Sequence, residues 1–406
     1  MRILLLSDNY PPETNAGALR SGAHAEIWAA QGHDVTVVTS FPNFPEGKLF
    51  AGYRQKPFSK HRINGVTVIR VPTLIFPNAG TVKRIVDFVS FMVTGTLAGW
   101  VVRKPDLVIA TSPQFFAAAA GWLVASVRRR PFVFELRDLW PDSIVAVGAL
   151  ADSALLGPIR KLEYFLYRRA AAIVSVTNAF RDHLAERGID PAKITVVRNG
   201  VDLSRFSPGD GAGVRREHGL EGKTVVSYIG TIGMAHGLGL LLDAAEGLRA
   251  SNPDIAILIL GTGAEREQLR DEAIQRGLSN VIFVDRVPHD RVIEYWRASD
   301  MTLVILRDSP VFRTVIPSKI FEAMATGTPI VTNVKGEIEA LLRPLDTAVF
   351  VEPGRADALA EAIARLSADP ALRAQISAAG VRHALRFDRS AQATLLLEEL
   401  KRIINF

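Results

Sequence analysis

The chain has 406 residues, and at ~100 to 200 residues per domain that length predicts two domains, each able to bury a core. Hydrophobic residues make up 48% and charged residues 22%, with 31 Gly and 22 Pro, which excludes collagen-like and disordered classes. With no Cys at all, disulfides, thiolate metal sites and cysteine nucleophiles are excluded too, as suits a reducing cytoplasm.

The net charge of +6 is unevenly placed. Residues 1–205 hold 25 Lys and Arg against 16 Asp and Glu, net +9, while the remainder holds 23 against 26, net −3. A basic first half predicts an anionic partner there: nucleic acid, a phosphorylated substrate or a membrane surface.

In chain order, the opening run Met1 to Asp8 is too short for a signal peptide and predicts a buried strand. Further strands are predicted at 35–39, 66–71, 106–110, 132–136, 173–176 and 194–197, with helical periodicity filling most gaps. A second series follows at 225–229, 255–260, 281–284, 301–306, 330–332 and 348–351. Such alternation builds parallel sheets through βαβ units, so the fold class is α/β. The turn formers from Asn199 to Gly213 separate the two series. The expected division is 1–205, 206–388, and a C-terminal helix at 389–406 whose apolar face packs on one domain or the other. Two doubly wound domains place ligands at the C-terminal ends of their strands, so the active site is expected between them.

Two segments depart from this scheme. Residues 41–64 are too long for a plain βα connection and too rich in Pro for a helix. Residues 83–104 form a nearly continuous apolar helix flanked by Lys83-Arg84 and Arg103-Lys104. A membrane span there would break the domain, leaving either a buried crossover or a helix lying on an anionic bilayer. Arg128-Arg129-Arg130 after another apolar helix adds to the second reading.

Four stretches carry candidate chemistry. After the first strand, Asn15 and Gly17 open a helix whose N–H groups suit a phosphate or a sugar oxygen, or form a plain turn. Arg137 and Asp138 end the strand at 132–136, placed to bind an acceptor or to pair with each other. Gly230-Thr231-Ile232-Gly233 and His236 form a strand-to-helix loop fitted to a diphosphate or to a tight turn. Neither glycine loop is a dinucleotide fingerprint or a Walker loop. Finally, Arg313, Pro317, Ser318 and Lys319 lead into a helix that carries Glu322 one turn on, a carboxylate suited to ribose hydroxyls beside a cation suited to phosphate.

Taken with Asn199-Gly200-Val201-Asp202 and Gly327-Thr328-Pro329-Ile330-Val331, these motifs resemble the family 4 retaining glycosyltransferases of the GT-B fold, two Rossmann-like domains facing across a cleft. Arg137-Asp138-Leu139-Trp140-Pro141 and the Pro-Ser-Lys helix start most resemble the WbuB-type, L-fucosamine transferase-like polysaccharide enzymes. The resemblance implies an N-terminal acceptor domain, a C-terminal donor domain, no metal and no cofactor. It implies a UDP-N-acetylhexosamine or UDP-deoxyamino sugar as donor and a lipid-linked saccharide of surface polysaccharide (O-antigen type) assembly as acceptor, at the cytoplasmic membrane face and without nucleic acid. Glu322 matches the second glutamate of the family's pair, and the first falls at Thr314. The family's usual basic pair falls near Thr231 and His236, leaving Lys319, with Arg313, as its replacement. Lys319, Arg137 and Asp138 are the candidate catalytic residues. A nucleotide-sugar 2-epimerase and a non-enzymatic carbohydrate or nucleic-acid binder remain the alternatives.

Overall fold

The computed structural model describes residues 1–76, 81–112, 114–140 and 156–404. Pro141 and Asp142, which close the Arg137 motif, lie outside the described residues.

The first sheet is built from β1 (Arg2–Leu6), β2 (Asp34–Ser40), β3 (Ser59–Ile63), β4 (Val66–Val71), β5 (Leu107–Thr111), β6 (Phe132–Leu136), β7 (Ala172–Ser175) and β8 (Ile194–Val196). Their order is β3-β4-β2-β1-β5-β6-β7-β8, parallel throughout except for β3. In register, Leu4 lies between Thr36 and Val108. Strands such as β5 and β6 are buried along their whole length, as a parallel sheet covered on both faces requires. Helices α1 (Ala16–Ala30), α2 (Thr81–Val101), α3 (Phe115–Arg128), α4 (Leu156–Arg169) and α5 (Asn178–Glu186) accompany it.

β3 corrects the expectation of a long irregular loop. Asn64 and Gly65 both take left-handed backbone, φ 48 and 83, which is the two-residue hairpin turn that an Asn-Gly pair favours. The preceding five residues therefore pair antiparallel with β4.

The second sheet runs β11-β10-β9-β12-β13-β14, from β9 (Thr224–Ile229), β10 (Ile255–Leu260), β11 (Val281–Val284), β12 (Met301–Val304), β13 (Ile330–Thr332) and β14 (Ala348–Phe350). Its helices are α6 (Ala212–Glu217), α7 (Gly239–Ser251), α8 (Arg266–Gln275), α9 (Val292–Ala298), α10 (Lys319–Thr326), α11 (Glu337–Leu342), α12 (Ala356–Ala368) and α13 (Pro370–Ala384). Both sheets reverse direction beside their first strand, β1/β5 and β9/β12, and ligands of such folds bind at that reversal.

The chain divides into two compact units, residues 1–199 with 389–406, and residues 200–388. The division precedes the expected boundary because Val201 donates to the Phe387 carbonyl (2.9 Å) and bridges Asp388, which ties it to the second unit. The last helix, α14 (Arg389–Ile404), belongs to the first unit. Leu396, Leu397 and Leu400 enter the core with Leu5, Val37 and Ile109, and the Trp28 indole donates to the Ala393 carbonyl at 2.8 Å.

Candidate active site

In the second unit, β9 ends at Gly230, whose φ of 140 is open to glycine alone. Gly230 N–H donates to the Leu260 carbonyl, and Ile232 N–H to that of Thr262, both at 2.9 Å. Two backbones thus lie against each other. A Cβ at Gly261 would sit 1.8 Å from the Gly230 oxygen, and one at Gly263 2.0 Å from that of Ile232.

On the other side of Gly230 stands Lys319, at the start of α10. A Cβ on Gly230 would lie 2.9 Å from its Nζ. The ammonium sits 3.9 Å from the centre of the Tyr228 ring, a cation–π contact. The Tyr228 hydroxyl donates to the Thr231 carbonyl at 2.6 Å, fixing both ring and loop. Burial pulls the Lys319 ammonium down to about 7, although Glu322 one turn along opposes the shift. His236 is driven to about 4 by burial and then by Lys319, so it is neutral at pH 7. Its ring Nδ1 lies 3.3 Å from the Gly233 carbonyl. Glu322 accepts from the Trp296 indole at 3.2 Å. Pro317 and Ser318 form the entry to α10, where Ile320 N–H returns to the Pro317 carbonyl at 3.1 Å.

In the first unit, Asn15 caps α1, its side-chain oxygen accepting from Ala18 N–H at 2.8 Å. The Arg137 guanidinium lies over the same turn: a Cβ on Gly17 would be 2.7 Å from Arg137 Nη1 and 3.0 Å from the Asn15 oxygen. Arg137 N–H donates to Ser112 Oγ at 2.7 Å, which anchors it to the end of β5. Burial lowers the guanidinium to about 10, with Glu135 and Asp138 opposing and Arg20 reinforcing the shift. It remains a cation at pH 7. Beneath it, buried Arg20 pairs with Glu135 at 2.8 Å and donates to the carbonyls of Val197 and Arg198. Burial alone would raise Glu135, but Arg20, His24 and Arg137 outweigh it and hold the carboxyl at about 2. Asn15 Nδ2, Arg137 Nε and His24 Nε2 are buried without a hydrogen-bond partner.

Each unit thus gathers a helix start, a glycine and a cation at the ends of its central strands. Residues 213–383 match the family described as Glycosyl transferases group 1, and residues 18–200 match the Glycosyl transferase 4-like domain. The chain is 30% identical over 321 residues to a D-inositol 3-phosphate glycosyltransferase of Mycobacteroides abscessus, covering 76% of this chain and 69% of that one. This chain belongs to the group 1 glycosyltransferases. It is also similar to the Escherichia coli K12 colanic acid biosynthesis glycosyl transferase WcaI, with 27% identity covering 89% of this chain and 91% of WcaI. The D-inositol 3-phosphate glycosyltransferase of Rhodococcus jostii is matched over just 65% of its own length. The fold is GT-B. It superposes on Anabaena HepE in complex with UDP-glucose with a TM-score of 0.74 and 18% identity, covering 99% of this chain and 100% of that one.

In this glycosyltransferase the second unit brings Gly230, His236, Lys319 and Glu322 into one neighbourhood, with Thr231 and Gly233 supplying loop carbonyls. Arg313 is committed elsewhere. Its exposed guanidinium is bonded twice to Asp308, at 2.8 and 3.1 Å, so it does not join Lys319 as the expected second cation. Thr314 turns its hydroxyl back onto the Val311 carbonyl at 2.6 Å.

Arg307 was not foreseen. Its N–H donates to the Ala235 carbonyl at 2.9 Å, its stem passes 3.1 Å from a Cβ position on Gly237, and its guanidinium meets Glu265 at 3.3 Å. The available signal was its place just beyond the strand at 301–306, where α/β folds put functional groups. Gly261-Thr262-Gly263, equally unforeseen, carried its signal as two glycines following a strand. In the first unit Asn15, Gly17 and Arg137 do come together, and Asp138 reaches Arg137 electrostatically. Among the described residues no group of three or more His, Asp or Glu is placed to hold a metal ion.

Proposed function

We propose that this glycosyltransferase moves a sugar, with retention of anomeric configuration, from a UDP-sugar to a lipid-linked saccharide in surface polysaccharide assembly. The carrying observation is the convergence of the Gly230 loop and Lys319, a cation beside open backbone at a central strand end. As the anomeric bond breaks, charge grows on the leaving diphosphate, and a fixed ammonium lowers that barrier without a metal. In the retaining reading the sugar departs and the acceptor oxygen arrives on one face, the acceptor's proton passing to the departing phosphate. Glu322 takes the ribose hydroxyls. The donor class is a UDP-N-acetylhexosamine or UDP-deoxyamino sugar; the UDP part alone is supported by the UDP-glucose bound by the Anabaena neighbour.

Asn15, Gly17, Arg137 and Asp138 take the acceptor in the first unit. The orphaned Asn15 and Arg137 nitrogens support an oxygen-rich group there. Polysaccharide assembly is supported by the name of the E. coli relative, a colanic acid biosynthesis enzyme. A thermal-shift screen across UDP-, GDP- and dTDP-sugars tests the donor, since a ligand of the folded state raises Tm with its occupancy. The UDP series should give the largest shift, and tighter GDP binding would overturn the choice of base. Incubation with donor alone separates a transferase from an epimerase, which would convert the free nucleotide sugar.

A further inference from the structure

We propose that the outer face of α2, with the adjoining end of α3, is a docking surface for an anionic lipid bilayer. Val86, Val93, Leu97, Trp100 and Val101 are all exposed, Leu97 at 53% and Val101 at 73%. At 3.6 residues per turn these five fall on one stripe about 100° wide. Leu74, 54% exposed, stands beside that stripe, its N–H held by Ser90 Oγ at 2.9 Å. α2 is fixed from behind, because Gly99 lets it approach α3 until a Cβ there would meet Val124 at 2.5 Å.

The two helix ends share one rim. Arg128 donates to the Val102 carbonyl, which ties the end of α3 to the end of α2, and on either side of that bond Val127, Arg129, Trp100, Val101, Arg103 and Lys104 are exposed. Arg128 and Arg130 are partly buried, so of the three successive arginines it is Arg129 that faces water. Lys83 is exposed at the other end of α2. The single acid of α2, Asp87, is half-buried. Arg103 has an exposed contact with Asp34 at 3.8 Å, too long and too wet to neutralise it firmly.

Charge complementarity selects the occupant. An apolar stripe with a cationic rim and an interfacial Trp fits anionic headgroups above acyl chains. A second copy fits poorly, since a two-fold interface sets each patch on itself and would oppose Lys83, Arg103, Lys104 and Arg129 with like charges. No helix among the described residues is long and apolar enough to cross a membrane, so the contact is with the surface. The docking is independent of the sugar chemistry proposed above.

The test is co-sedimentation of the full chain with vesicles of phosphatidylglycerol and phosphatidylcholine, or of phosphatidylcholine alone, at low and high salt. The wild type should pellet with the anionic vesicles, less so at high salt. L97D/V101D should lower partitioning by about tenfold or more, and K83Q/R103Q/K104Q by several-fold with a weaker salt dependence. All substituted side chains are exposed, and an unchanged Tm confirms folding. Equal partitioning of wild type and L97D/V101D, or wild type left in the supernatant with anionic vesicles, would overturn the docking. So would a lipid-free dimer, seen by analytical ultracentrifugation, that L97D/V101D dissociates. UDP binding by L97D/V101D, read by calorimetry, keeps the donor question separate.

Discussion

The two units present the same device built in opposite ways. In the first, Arg137 hangs over Gly17 as a permanent cation, and beneath it a buried Arg20–Glu135 pair balances charge with charge. In the second, Lys319 rests on an aromatic face beside Gly230 and titrates near neutrality. A guanidinium suits lasting recognition of oxygen pairs, whereas an ammonium that is costly to charge when empty gains most when negative charge arrives. On the proposed reading, the first unit holds a group and the second responds to one. The glycines differ likewise: Gly261 is pressed by backbone, Gly17 by the end of a side chain.

The harshest way to break the comparison is Gly261→Ala. Its Cβ would arrive 1.8 Å from a backbone oxygen at a φ of 155, and neither partner can rotate away. The expected cost is on the order of 3 kcal/mol or more. Nucleotide-dependent stabilisation in a thermal-shift assay should vanish with it, and a normal Tm with normal UDP response would refute the packing described here.

Next comes Lys319→Ala. Removing a charge aimed at the leaving group should lower kcat about 10²- to 10³-fold while donor affinity changes much less. Steady-state rates at saturating donor decide the matter, and wild-type turnover would end the electrostatic role. Glu322→Ala should do the reverse, weakening nucleotide binding more than turnover.

The sharpest contrast is in pH. Lys319 falls to about 7 in the empty protein, so it is mostly charged at pH 6 and mostly neutral at pH 8.5. Binding a diphosphate favours the charged form, so above pH 7 binding must take up a proton. Donor affinity should therefore fall as pH rises through 7, by no more than the modest factor that Lys319→Ala itself costs, while kcat falls more steeply. Arg137 at about 10 contributes no slope in that window. Calorimetric affinities from pH 6 to 9 should show the slope in wild type and not in Lys319→Gln.

Much of this arrangement was legible in the sequence. β-Branched runs between helical stretches predicted both parallel sheets, and residue types at strand and helix ends singled out Arg137, Gly230 and Lys319, which lie against the turns at Gly17 and Gly230. β3 was missed because its sequence, Ser-Lys-His-Arg-Ile, carries little apolar alternation and its pairing is declared by the Asn64-Gly65 turn alone. Arg313, expected beside Lys319, bonds Asp308 five residues back, a local pairing that the residue types alone did not display. The Gly261 loop and Arg307 were missed because their partners lie 31 and 72 positions away, at Gly230 and Ala235, and a local pattern does not display such pairings. The buried Arg20–Glu135 pair spans 115 positions and was hidden for the same reason.

The mildest change is Gly17→Ala. The new methyl would approach Arg137 Nη1 to 2.7 Å and the Asn15 side-chain oxygen to 3.0 Å, and both belong to side chains that can shift. Gly17 lies in the first turn of α1, where alanine also favours the helix, by roughly 0.5–1 kcal/mol. Tm should therefore hold or rise slightly, unlike the collapse expected at Gly261. What changes is the aim of the guanidinium. If Arg137 orients the acceptor, its displacement should raise acceptor KM by about tenfold, the loss of one charged hydrogen bond, and leave donor KM alone. Arg137→Lys should not rescue this, because an ammonium cannot reproduce the two-pronged donor geometry. Initial rates with acceptor varied at fixed donor read the effect directly. A shift confined to donor KM would move Arg137 from the acceptor's side of the reaction to the donor's.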